Sequence, residues 1–537
     1  MQRLVSCAAD SRGSLHHNIR RREALSLLSF GGAAALWTPN TAALADTSGA
    51  EEFSVNLDQR VHEFTLANGL HFIVLERHQA PIVSFQTYAD VGAYDEVDGQ
   101  TGVAHLLEHL AFKGTERIGT RDYRQEAALL DALDEVFYSM RDAQLGGQTA
   151  RVSQLDGQFR KLQDAAGQLS VPNAFGSNLQ RAGAVGLNAT TSHDATKYFT
   201  SLPANMLELW FALEAERFQA PVFRELYSEK RVVAEERRLR IDNAPMGKFQ
   251  EEFAAAALAN NYRRPIIGYA ADVEALGRRE VQSFFEAHYG PRNLTIAIVG
   301  DVRVAEVERL AAKYFGGWRS ASSPVASPEA PAQAKPRESS FHLEQAAKAG
   351  PVVLQAYYRP NLKDRDAIVL DIISDLLSGS RTSRLVTQLV QTGRAFSTSA
   401  VSSYPAEKHP CTLMLYGIPA PGTTLEDMDR LLREGARNVA DAGPSPNEMK
   451  RIKKAAKLTL INSIQSNASM ASLLTTYHAL TGSWRNVLVD MALVESLTPD
   501  DIRATAGRVF REDNCFTGYV LPAVRSFKLP VPDMLVS

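Results

Sequence analysis

His105 and His109 stand four residues apart in the segment TGVAHLLEHLAF, with Glu108 immediately before the second histidine. On a helix, residues i and i+4 project from one face, so the two imidazoles can grip a single divalent ion. Glu108 shares their general face and is free to act as a base towards water rather than as a ligand. This is HxxEH, the inverse of HExxH. Short motifs also arise by accident, and two half-buried histidines beside a solvated glutamate is the plainer alternative.

A hydrolytic zinc site needs three protein ligands and one open position, so a third donor must come from elsewhere in the chain. Three cysteines, Cys7, Cys411 and Cys515, cannot build a disulfide framework or a CxxC knuckle, which leaves histidine and carboxylates. The best candidate lies in SEKRVVAEERRLR. Glu229 and Glu236 are seven residues apart, two helical turns, and so share a face, where Glu236 could ligate the ion and Glu229 orient a histidine. By itself the segment reads more simply as a solvated helix laced by i, i+4 pairs.

The surrounding elements would have to hold these groups. Apolar positions 103, 106, 107 and 110 recur at helical spacing, which puts HxxEH on a helix with Thr101 and Gly102 as its caps. Before it, EFTLANGLHFIVLER predicts two strands around an Asn-Gly turn and PIVSFQTYADVGA a third. After it, apolar residues at 3 or 4 spacing on either side of Gly146 and Gly147 predict an antiparallel helical hairpin. The simplest role for the hairpin is a self-packed surface insertion; a partner-docking arm or a gate is the alternative. NLTIAIVGDV reads as a strand, AEVERLAAKYFGGW as a helix, and RSASSPVASPEAPAQAKPRESS as a linker poor in large apolar groups. A second strand and helix series begins at PVVLQAYYRP, so the two halves look like variations on one α+β plan.

The whole chain has 537 residues, 45% apolar side chains and a formal charge of −3, enough for more than one buried core. Lys plus Arg (58) and Asp plus Glu (61) nearly cancel, which argues against a nucleic-acid partner. Arg20, Arg21 and Arg22 precede a short apolar run, and AALA offers a cleavage site after Ala45, the layout of an export signal. The run is well under the roughly 20 residues a membrane-spanning helix needs, so no stable membrane anchor is expected. The arginines resemble a twin-arginine signal, which leads to the periplasm in bacteria and the thylakoid lumen in plastids. A bipartite chloroplast presequence fits residues 1–19 at least as well as a long bacterial start.

TGVAHLLEHLAFKGT resembles the signature of the pitrilysin, insulinase and mitochondrial-processing-peptidase family. GLNATTSHDATKYF is similar to that family's edge-strand segment, YSEKRVVAEE to the helix giving its third ligand, and YGPRNLTIAIVGDV with KYFGGW to the end of its first domain. The resemblance resumes at LLSGSRTSRLVTQLV and covers most of residues 57–537. It implies one Zn2+ held by His105, His109 and Glu236, Glu108 as general base, Glu229 supporting a ligand, and an extended peptide lying on the strand at Asn188 and Ala189. The implied fold is two related α/β sandwich half-domains of a half-clamshell: a presequence over 1–45, a zinc domain over 57–318 with the hairpin at about 124–178, a linker over 319–340 and a pseudo-repeat domain over 341–537.

Two departures stand out. His109 and Glu236 are 127 residues apart, more than the family's usual spacing, and the hairpin accounts for the excess. The Arg and Tyr that steady the substrate carbonyl in active members are replaced by Leu389 and Phe396, neither of which can donate a hydrogen bond. The resemblance therefore implies a zinc endopeptidase acting on unfolded peptides or presequences, paired with a related subunit that supplies Arg and Tyr, or with a second copy of itself. The alternatives are a non-catalytic assembly subunit and a zinc hydrolase acting on another bond.

Overall fold

In the computed structural model, residues 57–319, 343–347 and 350–522 are described. The expected presequence and all but the first residue of the stretch 319–340 lie outside the described residues.

Strands β1 (Val61–Thr65) and β2 (His71–Glu76) pair antiparallel around a turn in which Gly69 takes φ +95°, a conformation that side chains disfavour. With β3 (Ile82–Ala89), β4 (Val185–Thr191), β5 (Thr196–Pro203) and β6 (Leu294–Gly300) they form a sheet in the order β1-β2-β6-β3-β5-β4. A second sheet uses β7 (Leu343–Ala347), β8 (Val352–Arg359), β9 (Ala395–Tyr404), β10 (Cys411–Pro419) and β11 (Cys515–Pro522), in the order β7-β11-β8-β10-β9. The orders correspond strand for strand. In each sheet one parallel pair, β2 with β6 or β7 with β11, is followed by three antiparallel pairings. One α+β plan is used twice, with β1 added to the first copy, and neither sheet closes.

The principal helices fall in the intervals. Between β3 and β4 lie α1 (Val103–Leu110) and the hairpin of α2 (Tyr123–Leu145) and α3 (Thr149–Leu169). Next come α4 (Leu207–Gln219), α5 (Leu226–Arg237) and α6 (Gly247–Ala257), and α7 (Val304–Phe315) follows β6. In the second half α8 (Arg365–Ser378) fills the interval that α1 fills in the first, and the helices that follow include α9 (Leu425–Ala442), α10 (Asn467–Thr481) and α11 (Pro499–Val509).

Strands β3 and β6 are buried almost throughout, β3 with Ser84, Gln86 and Thr87 buried among its apolar residues. Phe72, Val74 and Ile298 face a core with Phe211 of α4 and Phe315 of α7, while Ile73, Leu75 and Val299 face Met470 and Leu474 of α10 and the fully buried Trp484. The second sheet packs Val353, Leu413 and Leu415 against α8, α9 and α11. Its other face meets α6, where Phe253 lies edge-on to Phe516 at 5.3 Å. A Cβ at Gly518 would stand 2.6 Å from the Phe253 ring, so glycine is what lets α6 approach. Each sheet is thus covered on one face by a helix from the other half of the chain. The hairpin closes on Val136, Val152, Leu155 and Phe159, but Leu133 and Phe137 of α2 also belong to the main core.

Candidate metal centre

Helix α1 is buried on nearly every side, with Glu108 and His109 only half-buried. Its first N–H groups are met by a residue the sequence did not flag: Gly102 and Ala104 each donate to the Glu96 carboxylate at 2.9 Å. Thr101, expected as a cap, donates instead to Asp272 at 2.6 Å. Burial pushes the Glu96 pKa up to about 8 against the pull of those amides.

The helix presents His105 and His109 with ring centroids 4.9 Å apart. Helix α5 brings Glu236 to them, its Oε2 lying 3.7 Å from His105 Nε2 and 3.6 Å from His109 Nε2. Donors bonded at about 2.0–2.2 Å to a tetrahedral ion stand about 3.3–3.6 Å from one another, so the gap between these atoms fits one such ion. Glu229, two turns earlier on α5, accepts from His109 Nδ1 at 3.1 Å, which leaves Nε2 as the ring nitrogen turned to Glu236. Lys113 Nζ lies 2.6 Å from the other Glu229 oxygen, and Arg240, in the π-helical turn after α5, lies 2.6 Å from Glu236 Oε1.

The electrostatics divide the two imidazoles. Burial, helped by the neighbouring His109, drives the His105 pKa down to about 4, so this ring is neutral. Hydrogen bonds to Glu229 and Glu236 lift His109 to about 9. The bond from His109 lowers Glu236; in Glu229, bonds from His109 and Lys113 outweigh burial and lower it too. Burial raises Glu108, opposed by the Thr191 hydroxyl, which donates to its Oε2 at 2.6 Å.

Thr191 ends β4, the strand at the edge of the first sheet, which pairs with β5 alone among the described residues. Asn188 and Ala189 lie on the same strand opposite Phe199 and Tyr198; Asn188 is exposed, whereas Ala189 is buried in the main core. The residues that sequence reasoning missed are Glu96, Lys113, Thr191 and Arg240: Lys113 and Thr191 meet partners far along the chain, Glu96 caps α1 from the loop just before it, and Arg240 lies one turn beyond Glu236. Lys113, Thr191 and Arg240 fell inside segments singled out beforehand, but none of them had been given a role. In the second half Leu389 is buried in the core and Phe396 is 65% exposed, so neither position offers a donor.

A second group, Glu63, His71 and His478, brings three donors equally close. Its rings stack at 4.0 Å with planes 10° apart, so no ion can lie in the plane of both, and Arg485 occupies Glu63. It is a contact between the halves.

Residues 72–141, which include α1, match the family described as insulinase (peptidase family M16), and residues 275–456 match the peptidase M16 inactive domain. Zinc protease PqqE of Helicobacter pylori is 24% identical over 489 residues, 89% of this chain and 96% of that protein. A crystal structure of a protease from Helicobacter pylori superposes with a TM-score of 0.71 at 22% identity, covering 86% of this chain and 99% of that one. The periplasmic protease PqqL from Escherichia coli superposes with a TM-score of 0.63 at 17% identity, covering 86% of this chain and 48% of PqqL. Among the described residues no helix is long and apolar enough to cross a membrane. Two matched profiles, a relative aligned over nearly its whole length and a shared two-sheet fold place this chain in the insulinase, or M16, family of peptidases.

Proposed function

We propose that this chain is a zinc endopeptidase in which His105, His109 and Glu236 hold one Zn2+, Glu108 is the general base, Glu229 positions His109, and an extended peptide lies along β4 at Asn188 and Ala189. The observation that carries the reading is the meeting of three donor atoms within 4.8 Å of one another beside Glu108, itself bonded to a strand at an open sheet edge. When bound, the ion supplies Lewis acidity towards a carbonyl and acidifies water. The rest falls to side chains. Glu108 takes a proton from the attacking water and returns it to the leaving amide nitrogen, and its raised pKa suits both transfers. The outer edge of β4 pairs with a peptide backbone regardless of its sequence, which favours unfolded segments and presequences.

Leu389 and Phe396 offer the substrate carbonyl no donor at the two positions where the resemblance expects Arg and Tyr. A related subunit supplying an Arg and Tyr pair completes the chamber as a heterodimer, a homodimer being the other arrangement. An exported location, periplasm or thylakoid lumen, agrees with the arginine-led N-terminus and with the periplasmic Escherichia coli protein. The second reading, a non-catalytic assembly subunit, is favoured by the same two residues and by the inactive-domain match over 275–456.

The test measures zinc content and hydrolysis of unfolded peptides for the full chain, Glu108→Gln and His109→Ala, with and without a co-expressed paralogue. One zinc in the wild type and in Glu108→Gln, with turnover only by the wild type and faster with the paralogue, is the expected result. Equal turnover by wild type and Glu108→Gln removes the base assignment. Bound zinc without turnover in any combination favours the assembly subunit.

A further inference from the structure

A line of side chains runs from the base of the helical hairpin to the candidate metal centre. Ser170, just past α3, donates its hydroxyl to Glu225 Oε1 at 2.8 Å. The other Glu225 oxygen accepts from Lys113 Nζ at 3.0 Å, and that ammonium also lies 2.6 Å from Glu229 Oε1. Glu229 then holds His109 Nδ1. The ion-paired members are between 11% and 27% exposed, sheltered enough for their charges to act on one another more strongly than surface pairs do.

Both ends of this line are fixed. The return of the hairpin is clamped where Arg121 N donates to Leu169 O and Val171 N to Gly119 O, each at 2.9 Å. Glu225 sits at φ +59°, a region that non-glycine residues enter at a cost, and its two hydrogen bonds help hold it there. Among the described residues Lys113 is the one cation paired with both the Glu225 and the Glu229 carboxylates. Without it the two repel, and Glu229 is free to turn away from His109.

We propose that Lys113 is a positioning residue of the metal centre, gripped by Glu225 and Ser170 so that docking of the hairpin locks the Glu229 carboxylate onto His109 and sets the affinity of the site for metal. The proposal rests on the zinc reading above. It gives the hairpin a structural duty beneath the site instead of the role of a self-packed insertion.

The experiment measures Zn2+ affinity of the metal-stripped full chain by competition with a chromophoric chelator, alongside thermal unfolding without metal. Lys113→Gln is expected to weaken zinc binding by about 10–100-fold, the usual effect of losing a group that supports a ligand. Lys113→Arg should recover most of the loss, and Ser170→Ala and Glu225→Gln should weaken binding in the same direction. In a Glu229→Gln background, Lys113→Gln should add nothing, because the group it positions is gone. Wild-type affinity in Lys113→Gln, or a full additional loss in the double variant, overturns the proposal. Should Lys113→Gln fail to fold, Ser170→Ala and Glu225→Gln decide, since unchanged affinity in both overturns it equally. If His109→Ala binds zinc as tightly as the wild type, the metal reading itself falls and the relay with it.

Discussion

Thr191 and Glu108 are joined by a hydrogen bond of 2.6 Å that ties the last residue of the edge strand β4 to the proposed base on α1. The hydroxyl favours the charged carboxylate and so opposes the upward pull of burial. Thr191→Val removes the donor, the Glu108 pKa rises further, and the acid limb of kcat/KM moves to higher pH by up to about one unit, worth 1.36 kcal/mol. Zinc content should not change. A pH–rate profile that overlays the wild type would refute the role.

With its pKa lifted to about 9, His109 in the metal-free chain is protonated at neutral pH, and an imidazolium cannot ligate. Zinc uptake at pH 7 should therefore release a proton from this residue, and affinity should rise about tenfold per pH unit until that pKa is passed. Calorimetry in buffers of different ionisation enthalpy reads the proton directly. Binding heats that do not depend on the buffer contradict it.

Glu407 lies in the loop between β9 and β10, whose backbone N–H groups at Glu407 and Lys408 donate to Asp194 of the first half at 3.0 and 2.9 Å. Burial, reinforced by Asp371, pushes its pKa up to about 7. The folded chain then binds a proton that the unfolded chain has released, so stability falls as pH rises from about 4.5 to 7 and is flat above. Glu407→Gln should flatten that slope, by up to about 2 kcal/mol once partial exposure is allowed for. Urea titrations at pH 5 and pH 8 test this, and equal slopes for variant and wild type would rule it out.

Trp484 is fully buried where the second half covers the first sheet, and its Nε1 donates to Glu63 at 2.9 Å. Trp484→Ala should cost about 3–5 kcal/mol through the cavity and the lost contacts. Chemical denaturation measures it; a loss below about 1 kcal/mol would mean that the halves do not depend on this contact.

Much of this was legible in one dimension. His105, Glu108 and His109 announce themselves because a helix converts fixed spacing into a shared face, and Glu229 and Glu236 follow the same rule on α5. β3 and β6 were readable as strands from their composition. The cap by Glu96 was not, because the carboxylate reaches the helix from a loop and no spacing rule relates them. Lys113 and Thr191 were silent for a similar reason: a lysine after a motif and a threonine on a strand are ordinary until their partners, over 80 residues away, are brought beside them.

The amino-acid sequence by itself determined which side chains can bind an ion and which turn of helix carries each, since periodicity is a local property of the backbone. Tertiary structure decided that α5 meets α1 within the span of one ion, that the hairpin stands beneath that contact, and that each sheet is covered by a helix of the other half. Such contacts depend on the simultaneous burial of surfaces far apart in the chain, and no local pattern encodes that choice.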